Sequence, residues 1–122
     1  MTDLTQLTPH LAAAATAELE DWGPLAEATG PGPGGAPMVT RGLTLWQDGD
    51  SEAGVWECTP GPSHWTQDEH EVVHILAGRM TVTPDGGEPT EVGAGDVAVF
   101  PRGWTGTWDI HETIRKVYVL FG

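Results

Sequence analysis

The side chains most able to do chemistry cluster in His64-Trp65-Thr66-Gln67-Asp68-Glu69-His70-Glu71-Val72-Val73-His74-Ile75-Leu76-Ala77-Gly78. This stretch holds three of the five histidines and three acids, ahead of an apolar run closed by glycine. Imidazole and carboxylate are the groups that proton transfer and metal ligation call on. In an extended chain alternate side chains share a face. His64 and Thr66 are then expected on one face of a short strand, and Glu71, Val73 and Ile75 on one face of the next, with His74 opposite. A carboxylate beside valine and isoleucine is costly unless it is partnered, and His64 is the partner to expect. Such a pair can work without metal. Neutral His64 would accept a proton while Glu71, its pKa raised by apolar neighbours, donates or orients. That suits an isomerisation, dehydration or hydrolysis of a small polar metabolite. The alternative for Glu71 is a structural carboxylate satisfied by backbone or tryptophan N–H groups.

The remaining candidates have plainer readings. His70, among Asp68, Glu69 and Glu71, reads as a solvated turn residue. His74 reads as a hydrogen-bonded interface histidine, and His111 as a turn residue after Asp109-Ile110. Cys58 reads as a small buried hydrophobe. Trp46, Trp56, Trp65, Trp104 and Trp108 are core in the first instance; Trp65, Trp104 and Trp108, with Thr66, can also wall a pocket. Arg102, in a Pro-Arg-Gly turn, is one of few cations near that mouth and could take a substrate carboxylate.

These residues are positioned by a series of short strands punctuated by turn residues, the pattern of an all-β sandwich or barrel. The expected strands are Arg41–Gln47, Ala53–Cys58, Ser63–Gln67, Glu71–Ala77, Arg79–Thr83, Glu88–Val92, Val97–Phe100, Trp104–Ile110 and Ile114–Phe121. Gly78 is expected to turn the chain, and Pro84-Asp85-Gly86-Gly87 to close a hairpin. Upstream, Thr8-Pro9 resembles a helix start, and His10 to Asp21 is predicted as a helix stopped by Gly23-Pro24. Thr29 to Pro37, nearly all glycine and proline, is expected as a flexible loop. The chain thus divides into an arm over 1–40 and a barrel domain over 41–122.

At 122 residues there is room for one core. Eighteen acids against five Lys and Arg give a net charge of -13. Such a chain repels nucleic-acid phosphates and anionic membranes, so neither is expected as a partner. No apolar run approaches the roughly 20 residues of a membrane span or has a signal-peptide layout. One cysteine excludes an intrachain disulfide and fits a reducing cytoplasm.

The segment His64-x-Thr66-x4-Glu71-x6-Gly78 resembles the first motif of the cupin superfamily: His-x-His, three or four residues, Glu, six residues, Gly. Gly95-x5-Pro101-x-Gly103-x2-Gly106 resembles the second, which ends in His. Gly54-x-Trp56-Glu57, Trp65, Gly103-x2-Gly106-x-Trp108 and Glu112-x2-Arg115-Lys116-x-Tyr118 narrow the likeness. They are similar to a small-cupin family related to ethanolamine-utilisation cupins and to ureidoglycine aminohydrolase. The resemblance implies an RmlC-like jelly-roll barrel with a short N-terminal helix, a cavity ligand and a homodimer. It also implies a metal site of three His and one Glu, of which this chain keeps His64 and Glu71. Thr66 and Gly106 replace the other two. Zinc, iron and manganese sites usually need at least three protein ligands. No cofactor is therefore expected, and a divalent Mn, Fe, Ni or Zn ion would have to recruit His70 or Cys58. Three functions stay open: a metal-independent acid–base enzyme, a divalent-metal enzyme on His64 and Glu71, and a non-catalytic binding or accessory protein with an eroded metal site.

Overall fold

A computed structural model describes residues 8–122. Its eight strands are β1 Glu20–Pro24, β2 Val39–Asp48, β3 Ser51–Cys58, β4 Gly61–Thr66, β5 His70–Pro84, β6 Thr90–Gly93, β7 Val97–Phe100 and β8 Thr105–Phe121. Every pairing is antiparallel. The architecture is the all-β barrel expected.

Two long strands organise it. The C-terminal half of β8 pairs with β3 and with the start of β5, while its N-terminal half pairs with β4 and the end of β5. β5 and β8 therefore run through both layers of the barrel. Each was expected as two shorter strands. The register of β5 against β8 shifts between Ile75 and Met80, and Gly78 sits there at φ +85° with no room for a Cβ, which would lie 2.1 Å from the Thr113 carbonyl oxygen. Gly78 is thus a bulge that bends a continuous strand rather than a turn that ends one.

The expected N-terminal helix is not formed. The chain makes one turn over residues 12–16 with Ala13 at φ +51°, then enters β1. Ala-rich sequence favours helix locally, but the Arg115 guanidinium donates to the carbonyls of Ala14 and Ala17 at 3.0 and 2.8 Å. Those are acceptors a helix would need for itself. Arg115 also donates to Glu57 at 2.9 Å, so a nearly buried cation pins the arm to the outer face of β3 and β8. The glycine–proline segment holds a short 3₁₀ turn at Pro33–Gly35 and joins the barrel through Thr29 N–H donating to the Pro62 carbonyl at 3.0 Å.

The core packs Val73, Ile75, Met80, Trp108, Ile114 and Cys58, all wholly buried. On β5 the alternation holds as expected: Glu71, Val73 and Ile75 face in, and His74 faces out. On β4 the phase is opposite to expectation. Ser63 is buried and Trp65 half-buried, while His64 and Thr66 are exposed. The register explains it. Ser63 lies opposite Trp108 and Trp65 opposite Gly106, and directly opposed residues share a face. With Trp108 fully buried, its partner must point inward as well. Among the described residues no helix is long and apolar enough to cross a membrane.

Candidate functional site

One end of the barrel opens as a cavity of about 330 Å³, with Glu71 and Lys116 at its base and Trp56, Trp65 and Tyr118 on its walls. Strand β5 delivers Glu71 and strand β8 delivers Lys116. The Lys116 ammonium donates to Glu71 Oε2 at 2.9 Å, with only 4 % of the lysine and 8 % of the glutamate side chain exposed. Gln67 Nε2 donates to the other carboxylate oxygen at 3.3 Å. Gln67 is itself held by two backbone bonds, its N–H to the Trp104 carbonyl and its carbonyl from the Gly103 N–H, both 2.9 Å.

The expected partnership of His64 with Glu71 is not made. His64 lies on the outer face of β4, where Nε2 meets the Asp85 carboxylate at 3.0 Å. That hydrogen bond holds the Asp85 carboxyl below its usual range. Nor is Glu71 satisfied by tryptophan N–H groups: the Trp65 indole donates to Ser63 Oγ at 2.8 Å, and the buried Trp108 Nε1 has no partner among the described residues.

An indole cluster backs the ion pair. Trp65 stacks on Trp108 at 4.4 Å between ring centroids, and Trp56 meets both edge-on. The Lys116 ammonium sits 4.6 Å from the Trp56 ring centroid and 4.4 Å from that of Trp108. Ring quadrupoles and a carboxylate thus replace the water the ammonium loses on burial. Above the base, the Tyr118 hydroxyl hydrogen-bonds to Glu52. Burial, and then that carboxylate, push the Tyr118 pKa well above its ordinary value.

Of the other expected site residues, Trp65 and Thr66 line the cavity. Trp108 lies behind it, wholly buried. Trp104 packs edge-on to Phe100 at 4.9 Å and fills the space beside Gly106. Arg102 is exposed beside the mouth, its Nε donating to the Asp68 carbonyl at 3.3 Å. Its backbone N–H donates to His70 Nδ1 at 3.0 Å, so His70 is a positioned loop residue. Neither reaches the cavity floor. His111 is more than a turn residue, since its Nε2 lies 2.7 Å from Thr81 Oγ1.

Sequence reasoning left Gln67, Lys116, Tyr118 and Glu52 without roles. Two signals were available. A three-residue spacer before Glu71 puts Trp65 and Gln67, rather than His64 and Thr66, in the two histidine positions of the first motif. Lys116 is a lone charge in phase with Ile114 and Tyr118, hence on the inward face of β8.

These residues do not fit a divalent metal. The four ligand positions carry Trp65, Gln67, Glu71 and Gly106, and the single carboxylate already faces an ammonium. A side chain at position 106 would place its Cβ 2.5 Å from both the Thr83 carbonyl oxygen and the Trp104 ring. Cys58 is wholly buried in the hydrophobic core and does not line the cavity. His70 is engaged at the mouth. Among the described residues no three His, Cys, Asp or Glu side chains come together as a metal site.

Residues 45–118 match the family model of the EutQ-like cupin domain. No curated protein matches the chain. Among solved structures, a DUF861 family protein from Thermotoga maritima is 34% identical, with a TM-score of 0.54 over 55% of this chain and 76% of that one. The Clostridium difficile EutQ protein superposes with a TM-score of 0.68 at 17% identity, covering 86% of this chain and 80% of its own. A DUF861 family protein of unknown function from Pseudomonas syringae reaches 0.76 at 22% identity over 88% of this chain, which spans 46% of that protein.

Proposed function

The chain belongs to the EutQ-like cupin domain family, and from that premise we propose that its barrel binds a small polar metabolite and acts on it by metal-free proton transfer. The observation that carries this reading is the buried Lys116–Glu71 pair at the base of an open cavity. A fixed ammonium beside a fixed carboxylate supplies, without metal, an anion that can accept a proton and a cation that can stabilise the negative charge left behind. For a substrate with an acidic C–H next to a carbonyl, Glu71 takes the proton and Lys116 holds the developing oxyanion. Return of the proton to another atom gives an isomerisation, and loss of a neighbouring hydroxyl gives a dehydration. The Tyr118 hydroxyl donates its proton to Glu52, so on the wall it offers the ligand an acceptor oxygen.

A non-catalytic binding role is favoured by a different observation: Trp65, Gln67 and Gly106 stand where metal ligands belong, so the cavity is more aromatic than reactive. One experiment separates the readings. The protein is screened against a metabolite library by thermal shift, and each hit is incubated and analysed by mass spectrometry. Turnover lost in both Glu71→Gln and Lys116→Met, at a temperature where circular dichroism shows each variant folded, supports the enzyme. A hit returned unchanged supports the binder. Full turnover in both variants refutes the acid–base assignment.

A further inference from the structure

We propose that the ligand of this cavity is a small organic cation, a substituted ammonium or guanidinium compound of a few carbons. This rests on the reading that the cavity takes a small molecule and adds its chemical class. Two independent features point the same way. The first is the charge of the lining. Glu27, Glu52, Asp68, Glu69 and Glu71 line the cavity against one basic residue, Lys116, and Lys116 is already balanced by Glu71 at 2.9 Å. The remaining carboxylates make the mouth an anionic funnel that draws in cations and excludes anions.

The second feature is how the cavity treats the cation it already contains. The Lys116 ammonium is seated against two indole rings, at 4.6 and 4.4 Å from their centroids, with a carboxylate in hydrogen-bonding contact. The same two kinds of group continue outward, where Trp22 and Trp65 join Glu27 and Glu52 on the lining. Trp22 is presented deliberately by the fold. Register slips on β1 between Asp21 and Gly23, and the Trp22 ring lies so close over Gly42 that any Cβ there would fall 2.2 Å from it. Yet the residue keeps 39% of its surface exposed. A large ring fixed at a cavity mouth and left open to solvent is a surface for a ligand. Indole faces with nearby carboxylates form the environment that recognises alkylammonium groups.

The test compares choline with its neutral carbon isostere, 3,3-dimethylbutan-1-ol, and with acetate, by quenching of tryptophan fluorescence and by calorimetry at low salt. Choline is expected to bind saturably and at least about tenfold more tightly than the isostere, with acetate not binding. Trp22→Ala and Glu52→Gln should each weaken choline severalfold. The second variant preserves shape and so guards against a folding defect in the first. Equal binding of choline and isostere, or preferential binding of acetate, overturns the cationic class while leaving a small-molecule site standing. Binding of no probe, together with no stabilisation by any compound in the metabolite library, overturns both.

Discussion

Lys116 and Glu71 meet end to end without being neighbours in the sheet. Lys116 lies opposite Ile75 and Glu71 opposite Leu120, so the lysine runs along the barrel wall towards the mouth to place Nζ 2.9 Å from the carboxylate. The reach lets a cation from one strand neutralise an acid four residues along the other. It also leaves Oε2 of the barrel's inward carboxylate already bonded to an ammonium.

Breaking that pair should cost more than removing it. Glu71→Gln or Lys116→Met leaves one buried charge without its partner, and each is expected to lose about 3–5 kcal/mol of stability. The double variant should recover much of the loss, since neither desolvated charge remains. Urea denaturation of the four proteins checks this, and strictly additive losses would mean the two groups do not interact.

Metal loading should fail at the barrel. After exposure to manganese, iron, nickel and zinc, the purified protein is expected to retain no stoichiometric ion in elemental analysis. His64→Ala should not alter that result, and it should leave the denaturation midpoint essentially unchanged because the His64–Asp85 contact is solvent-exposed. Near-stoichiometric metal that disappears in His64→Ala would contradict the geometry described above.

Stability should fall on the alkaline side. Burial lifts Cys58 from 9.0 to about 12, and burial lifts Tyr118 above its ordinary 10.0. From about pH 9 upward the unfolded chain releases these protons while the folded chain keeps them. The folded state then binds more protons, so its stability declines as pH rises, having been fully present below that range. Denaturation midpoints measured up to about pH 11 should show the decline, and Tyr118→Phe should flatten its upper part. Cys58 should also resist thiol reagents until the protein unfolds.

Restoring the missing second-motif histidine should be harmful. Gly106→His forces a Cβ against the Thr83 carbonyl and the Trp104 ring, with an expected loss of roughly 1–3 kcal/mol or more from overpacking. Gly106→Ala carries the same Cβ and should show much of the same loss in thermal unfolding. A Gly106→Ala variant as stable as the parent would mean Trp104 moves freely.

Much of this molecule was legible before its structure. Glycine and proline marked the turns, and the apolar alternation of Glu71–Ile75 put Glu71 inside correctly. Both are local signals, because turn conformation and strand alternation act over two to four residues. Val97–Phe100 was bounded correctly for the same reason. The bend at Gly78 was misread as a turn because a glycine that needs positive φ looks alike in either setting.

By itself, then, the sequence determined the all-β class, the turns and the inward carboxylate, since these depend on neighbours along the chain. Only the tertiary structure decided the phase of β4, the fate of the alanine-rich arm and the partner of Glu71. Each depends on a contact with β8 far along the chain: Ser63 with Trp108, Ala14 with Arg115, Glu71 with Lys116. Local propensity favours a helix over His10–Asp21, and His64 is the histidine that the first motif offers to Glu71. Burial overrules both, because a buried guanidinium or ammonium must find acceptors wherever the fold brings them.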